Sequence, residues 1–137
     1  MTDTSDLPED VRALLYKHIE SYEQLETLLL RREPDVEWTA AGLAARLHVG
    51  AELIEGALAR LKASGLVAPT GAAPTRFAYR PASSGLDAAA GRLEHEYAER
   101  PLLVIRRMSA NSLERLRTAA LHTFADAFVL KKGRKDG

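Results

Sequence analysis

The 137-residue sequence contains no cysteine, few aromatic residues and no long apolar run. The absence of cysteine excludes disulfides and every cysteine-ligated metal site. The four histidines stand far apart, at spacings that match no metal-binding motif: His18, His48, His95 and His122. No apolar stretch is long enough to cross a bilayer, and the acidic start of the chain lacks the apolar segment of a secretory signal. We therefore expect a cytoplasmic protein that engages no metal and no membrane.

Sequence motifs of catalysis are also missing. There is no glycine-rich phosphate loop, no Gly-x-Ser-x-Gly turn and no His-Glu-x-x-His pair. His95 stands between Glu94 and Glu96, but successive side chains on a helix point about 100° apart and do not converge on one proton or metal ion. We expect a protein that is not an enzyme and needs no cofactor.

Net charge is zero, yet the charges are distributed unevenly. Residues 1–70 carry 7 Lys/Arg and 12 Asp/Glu, whereas residues 71–137 carry 12 Lys/Arg and 7 Asp/Glu. A balanced total therefore does not exclude a polyanionic partner, but it confines the basic surface to the second half of the chain.

The first part of the chain carries a helical stripe of apolar residues with two capping signals. Asp6 and Glu9 form one capping box, and Ser21 and Gln24 form another inside the same stripe. One helix kinked near Glu20 and two helices meeting there fit this pattern equally well.

The central part predicts two helices joined by a tight turn and followed by a hairpin. A short strand stub precedes Thr39, which caps the first helix. The turn His48-Val49-Gly50 ends that helix, and we expect its glycine to supply the unusual backbone angles. A second helix runs from Ala51 to Ser64 and ends at Gly65. The apolar face of this second helix is predicted to consist of Leu53, Ile54, Ala57, Leu58 and Leu61. The two strands of the hairpin are predicted at Leu66–Ala68 and Phe77–Arg80.

The last third predicts three helices and a tail. Ser84 and Asp87 form a capping box, Arg100-Pro101 interrupts the pattern before a short apolar helix, and Asn111 caps a final helix. The final helix carries a regular apolar stripe: Leu113, Leu116, Ala120, Phe124, Ala127 and Phe128. The basic end, from Lys131 onwards, has nothing to bury and should fray.

Apolar positions of the central part resemble the winged helix-turn-helix of bacterial regulators. The matching residues are Leu43, Ala44, Leu47, Val49, Ile54, Ala57, Leu58, Leu61 and Gly65 to Val67. The resemblance implies a supporting helix, a recognition helix and a β-hairpin wing within 36–80. The flanking helices are arranged as in the MarR-like dimeric regulators, which implies a homodimer through the terminal helices. The closing stretch, FADAFVLKKGRKDG, also resembles the end of an uncharacterised bacterial protein family, which implies no activity.

The resulting expectation is one mainly α domain spanning 1–137. It comprises an N-terminal helical region (6–35), a winged helix-turn-helix with a small β-hairpin wing (36–80), C-terminal helices (84–131) and a basic tail (132–137). The terminal helices carry more apolar surface than the winged unit can cover. They pack either on each other across a two-fold axis or within a compact six-helix monomer.

Two functions compete for the exposed face of the recognition helix. Double-stranded DNA would be held by cations and neutral donors on the second helix, the wing and the supporting helix: Arg46, Arg60, Lys62, Thr75, Arg76 and Arg80. The first turns of that helix depart from this pattern, because they offer two carboxylates with no cation beside them. The alternative is a protein-interaction module that docks a basic partner on Glu52, Glu55, Gly56 and Ala59.

Overall fold

A computed structural model describes residues 6–33, 38–71 and 75–135, with side chains as far as residue 128. Within these residues the fold is a mainly α winged helix. The elements are α1 (Glu9–Lys17), α2 (Tyr22–Leu29), a 3-10 turn (Leu30–Arg32), α3 (Ala40–Leu47), α4 (Ala51–Ala63), β1 (Val67–Pro69), β2 (Phe77–Tyr79), α5 (Ser84–Glu99) and α6 (Pro101–Lys135). The expected fold class is confirmed. The strand stub before Thr39 was expected at 36–38, and its first two residues lie outside the described residues.

The N-terminal stripe forms two separate helices, α1 and α2. The side chain of Ser21 accepts a hydrogen bond from the Gln24 backbone, and the Gln24 side chain accepts from the Ser21 backbone, so this capping box is confirmed. The predicted box at Asp6 is wrong. Pro8 occupies the cap position of α1 without any side-chain cap, and the Asp6 carboxylate instead accepts the neighbouring Leu7 N–H at 2.7 Å.

Helix α5 begins one residue earlier than the sequence predicts. Ser83, rather than Ser84, is the cap, and its hydroxyl accepts the N–H of Leu86 at 3.1 Å. Two adjacent serines offer the same chemistry, so sequence alone does not select between them. The position of the cap leaves Asp87 in the first turn, where its carboxylate accepts a hydrogen bond from Tyr79 in the wing.

Helix α6 is continuous over 35 residues, and the three predicted pieces are two helices. Pro101 does separate α5 from α6, since it stands at the first position of α6, where a missing N–H is tolerated. Asn111 does not cap a helix, because it lies inside α6 with only 4% of its surface exposed. The predicted fraying from Lys131 is also wrong for the backbone, which remains helical to Lys135.

Two apolar clusters form the core. The larger joins α1, α2, the last turn of α4, β1, α5 and the first turns of α6; the smaller joins the 3-10 turn, α3 and α4. Trp38 and Phe77, both half-buried, pack against both clusters and connect the wing to each. Trp38 is therefore a packing residue at the root of the wing.

The second half of α6 extends away from this core. All side chains from residue 116 to residue 128 are exposed. They include the predicted apolar stripe, with Leu116 exposed to 68% and Phe124 to 72%. Although α6 is long, no helix in the described ranges has an apolar stretch of the length and hydropathy that a bilayer crossing requires.

Candidate nucleic-acid interface

The turn between α3 and α4 sets the angle of the recognition helix. His48 adopts left-handed angles (φ 59°, ψ 42°) and its N–H bonds to the carbonyl of Ala44. Val49 N–H also bonds to Ala44 O, at 3.1 Å. Gly50 has ordinary extended angles (φ −66°) and begins α4. The prediction that glycine supplies the unusual conformation is wrong, since histidine does so, as one of the side chains that tolerate this region.

Helix α4 buries one face and exposes the other. Ile54, Ala57, Leu58 and Leu61 are buried against the two apolar clusters, as predicted. Leu53 was expected on this face and is instead 54% exposed. It lies one position before Ile54, about 100° around the helix, so the two cannot share the buried face. The outward face therefore combines small, acidic and apolar side chains: Ala51, Glu52, Leu53, Glu55, Gly56 and Ala59.

A groove of about 720 Å³ runs between the start of α3, the outward side of α4 and the wing. Its lining residues are Thr39, Ala40, Ala41, Gly42, Glu55, Leu58, Ala59, Lys62, Thr75 and Phe77. Two residues proposed for DNA contact, Lys62 and Thr75, thus share a groove with two proposed for protein docking, Glu55 and Ala59. The groove presents one ammonium group, one carboxylate and a largely apolar floor.

The other candidate cations lie outside the lining of this groove. Arg60 points the other way, towards the corner between α1 and α2, where its guanidinium lies 3.0 Å from the Glu20 carboxylate. Arg46 is exposed on the last turn of α3. Arg76 and Arg80 are exposed directly before and directly after β2 in the sequence. Gly56 and Glu52 are exposed on α4 next to the groove, and an added Cβ at Gly56 would meet no atom within 4 Å.

The wing is a short antiparallel pair in which Val67 faces Tyr79 and Pro69 faces Phe77. Backbone hydrogen bonds extend it at both ends. Phe77 N–H donates to the carbonyl of Trp38 at 2.8 Å, and Arg80 N–H donates to Leu66 O at 3.0 Å. Strand β2 is therefore held between β1 and the segment that leads into α3.

Sequence reasoning did not single out Arg31, which joins the wing to α5. Its side chain is 9% exposed, its guanidinium carbon lies 4.9 Å from the centre of the Tyr79 ring, and a terminal nitrogen lies 3.2 Å from the Glu94 carboxylate. The Tyr79 hydroxyl donates to Asp87 at 2.8 Å. Burial, and then this hydrogen bond, raise the pKa of Tyr79 to about 12, so the hydroxyl remains a donor at neutral pH. The sequence signal that could have identified Arg31 was weak, namely a pair of arginines directly after an apolar run.

The chain is similar to a solved transcription regulator, although distantly. The crystal structure of MepR, a transcription regulator of the Staphylococcus aureus multidrug efflux pump MepA, aligns over 86% of this chain and 90% of that one, with 15% identity and a TM-score of 0.46. A single-residue variant of MepR bound to an oligodeoxyribonucleotide aligns over the same shares, with 13% identity and a TM-score of 0.45. No protein-family model matches the sequence. No curated protein matches it either.

Carboxylates and histidines are dispersed over the fold. In the part of the chain that the structure describes, no three of them approach closely enough to hold a metal ion. The chemistry of the interface is thus that of the groove and its neighbouring cations, which can bind a partner by charge, hydrogen bonding and apolar contact.

Proposed function

We propose that the protein is a DNA-binding winged-helix regulator that acts as a homodimer and holds DNA mainly through its phosphates. The observation that carries this proposal is the solvent-open groove that Lys62 of the recognition helix and Thr75 of the wing both line. Cations and hydroxyl donors on a helix and a neighbouring wing are the groups that contact phosphate oxygens. Arg46, Arg76 and Arg80 add exposed positive charge around the same unit.

Base recognition is a smaller part of this proposal. The first turns of α4, which would enter the major groove, expose Glu52, Leu53 and Glu55, and none of these donates a hydrogen bond. Glutamate can accept a hydrogen bond from cytosine, but a carboxylate pair repels nearby phosphates. Binding should therefore depend strongly on salt and only weakly on DNA sequence.

The experiment is a titration of the protein against random duplex DNA at about 50 mM salt, where phosphate contacts are strongest. Lys62→Ala and Arg76→Ala should each weaken binding to all sequences and lower the salt slope by about 1. Lys17→Ala removes an exposed cation from α1, away from the groove, and should leave the slope unchanged. Failure of the wild-type protein to bind under these conditions would contradict the proposal.

The homodimer rests on the stripe along the second half of α6. Its apolar side chains, with alanines between the leucines and phenylalanines, recur every three or four residues, and the large ones are exposed. Exposed apolar stripes of this extent mark association surfaces, and a helix stripe of this kind pairs readily with its own copy. Leu116→Glu should convert a dimer into a monomer in analytical ultracentrifugation. A wild-type protein that sediments as a monomer would contradict this part of the proposal.

A second candidate function, protein docking, is favoured by the acidic and apolar character of α4. Glu55 and Ala59 line the groove, and Leu53 is exposed on another side of the same helix. A basic partner segment with an apolar anchor would complement this face. The informative experiment is capture of partners with wild type and with a Glu52→Gln/Glu55→Gln double variant, with and without nuclease. Docking predicts partners that survive nuclease and are lost with the variant, whereas DNA binding predicts a variant that binds DNA more tightly.

A further inference from the structure

Arg31 occupies the point where three parts of the fold meet. It follows α2 in the 3-10 turn, lies over the ring of Tyr79 in β2, and pairs with Glu94 on α5 at 3.2 Å. A second carboxylate of α5, that of Asp87, lies 4.0 Å from the other terminal nitrogen and accepts the Tyr79 hydroxyl. We call Arg31, Tyr79, Asp87 and Glu94 the wing-root cluster.

The burial of Arg31 makes this cluster sensitive to the loss of any member. A buried guanidinium needs its counter-charges, because removal of one partner leaves an uncompensated charge in a poorly solvated site. Only the flat, delocalised guanidinium can cover an aromatic ring and face two carboxylates at once; a lysine ammonium is a point charge. Within the described residues the Nε atom of Arg31 has no hydrogen-bond acceptor, so the site depends on its ion pairs and ring contact.

The cluster also determines where one wall of the groove lies. Tyr79 is two residues from Phe77, and Phe77 both lines the groove and bonds to the Trp38 carbonyl. On the opposite wall, α4 is anchored by four buried side chains, Ile54, Ala57, Leu58 and Leu61. We therefore expect a change at the wing root to alter the position of β2 more than that of α4.

We infer that Arg31 is a positioning residue that holds the wing against α5 and so sets the separation between the wing and the recognition helix. The effect of Arg31 on DNA binding rests on the proposed function, because Thr75 and Arg76 would reach the phosphates beside α4 only when β2 is held in place. Its structural consequence, the attachment of the wing root to α5, does not depend on DNA.

The chain contains a built-in reporter for the test, since Trp38 is its one tryptophan and pairs with the wing strand. Tyr79→Phe removes only the hydroxyl link to Asp87, and Glu94→Gln removes the counter-charge that Arg31 shares with the exposed Arg32. In each variant the acrylamide quenching constant of Trp38 should rise about twofold, because the wing root opens locally more often. Far-UV circular dichroism should stay that of the wild type. Arg31→Lys should give an intermediate constant, since it keeps the charge and loses the ring contact.

The matched control is Arg92→Met. Arg92 lies on α5, the helix that also carries Asp87 and Glu94, and it pairs with Asp10 on α1. The variant therefore breaks an ion pair of α5 away from the wing. Its quenching constant should equal that of the wild type. Quenching constants of Tyr79→Phe and Glu94→Gln that equal the wild-type value, or that rise no more than in Arg92→Met, would overturn the inference.

DNA titration of the same variants separates this inference from the proposed function. Tyr79→Phe and Glu94→Gln should bind duplex DNA several-fold more weakly than Arg92→Met. Raised quenching in a protein that does not bind DNA would support the role of Arg31 and contradict the DNA function. Unchanged quenching in a protein that binds DNA would do the reverse.

Discussion

The guanidinium of Arg60 lies 3.0 Å from the carboxylate of Glu20, so a cation of the recognition helix is already paired within the chain. The pair connects α4 with the corner between α1 and α2. Arg60 is 61% exposed on its side chain, which places the pair at the surface and limits its contribution to stability to about 1 kcal/mol or less.

This pairing predicts an unequal effect of its two members on DNA binding. Glu20→Gln removes the negative charge that neutralises Arg60, and the affinity for duplex DNA should rise roughly twofold to fivefold at low salt. Arg60→Ala should change affinity much less than Lys62→Ala, because the charge of Arg60 is already compensated. Fluorescence anisotropy with labelled DNA measures both. Glu23→Gln on α2 is the charge-matched control, and an equal gain in that variant would show that only net charge matters.

We expect that replacing Asn111 with leucine stabilises the fold. Its side chain is buried inside α6, and among the described residues its amide nitrogen has no hydrogen-bond partner. Asn111→Leu removes the unpaired polar group at similar volume and should raise the free energy of unfolding by about 1–2 kcal/mol. A urea titration measures this change. A loss of about 1 kcal/mol would instead be the result for a helix cap.

We expect glycine in place of His48 to raise the stability of the fold. His48 has the left-handed backbone conformation that the sequence led us to expect at Gly50. A left-handed non-glycine residue is strained by about 1 kcal/mol, so His48→Gly should raise the melting temperature. His48→Val should lower it more strongly, since a β-branched side chain tolerates these angles poorly. Gly50→Ala is the comparison, because its φ of −66° suits any residue and an added Cβ meets nothing within 4 Å. A larger loss for Gly50→Ala than for His48→Val would contradict this assignment.

We expect the stability difference between the wild type and Asp6→Asn to depend on pH. The Leu7 N–H, and then the Arg107 guanidinium at 3.0 Å, hold the pKa of the Asp6 carboxyl below its ordinary value of 3.8. A carboxyl with a lowered pKa in the folded state stabilises the fold above its unfolded pKa, and that contribution is lost as the pH falls through the folded pKa. Asp6→Asn should therefore lower the melting temperature at pH 7 and match the wild type below the folded pKa. An equal deficit at both ends of the pH range would contradict the linkage.

Features decided by neighbouring residues could be predicted from sequence. The box of Ser21 and Gln24 and the cap at Thr39 are confirmed, because each needs only a side chain and a backbone N–H three residues away. The buried face of α4 and the hairpin follow from periodicity in the same way. The choice between a homodimer and a compact six-helix monomer stays a prediction, because it depends on what covers the exposed side chains of residues 116–128.

Features decided by distant contacts could not be predicted. Asn111 has the spacing of a helix cap, but Val104 and Met108 pack on the core and carry one helix straight through that position. Arg31 looks like a surface cation in sequence, and its partners on α5 lie far along the chain. The candidate DNA residues divide similarly: Lys62 lines the groove, whereas Arg60 is turned towards Glu20 by a contact that periodicity does not contain.

The length of α6 has a consequence for the proposed homodimer, namely that folding should depend on protein concentration. At about 1.5 Å per residue its 35 residues span about 52 Å, and the side chains of residues 116–128 are all exposed. A helical segment of that size is marginal in water by itself. In the proposed homodimer a second molecule supports this segment, so the melting temperature and the helical signal should both rise with protein concentration. Dilution below the dissociation constant would unwind the end of α6 while the winged unit stays folded.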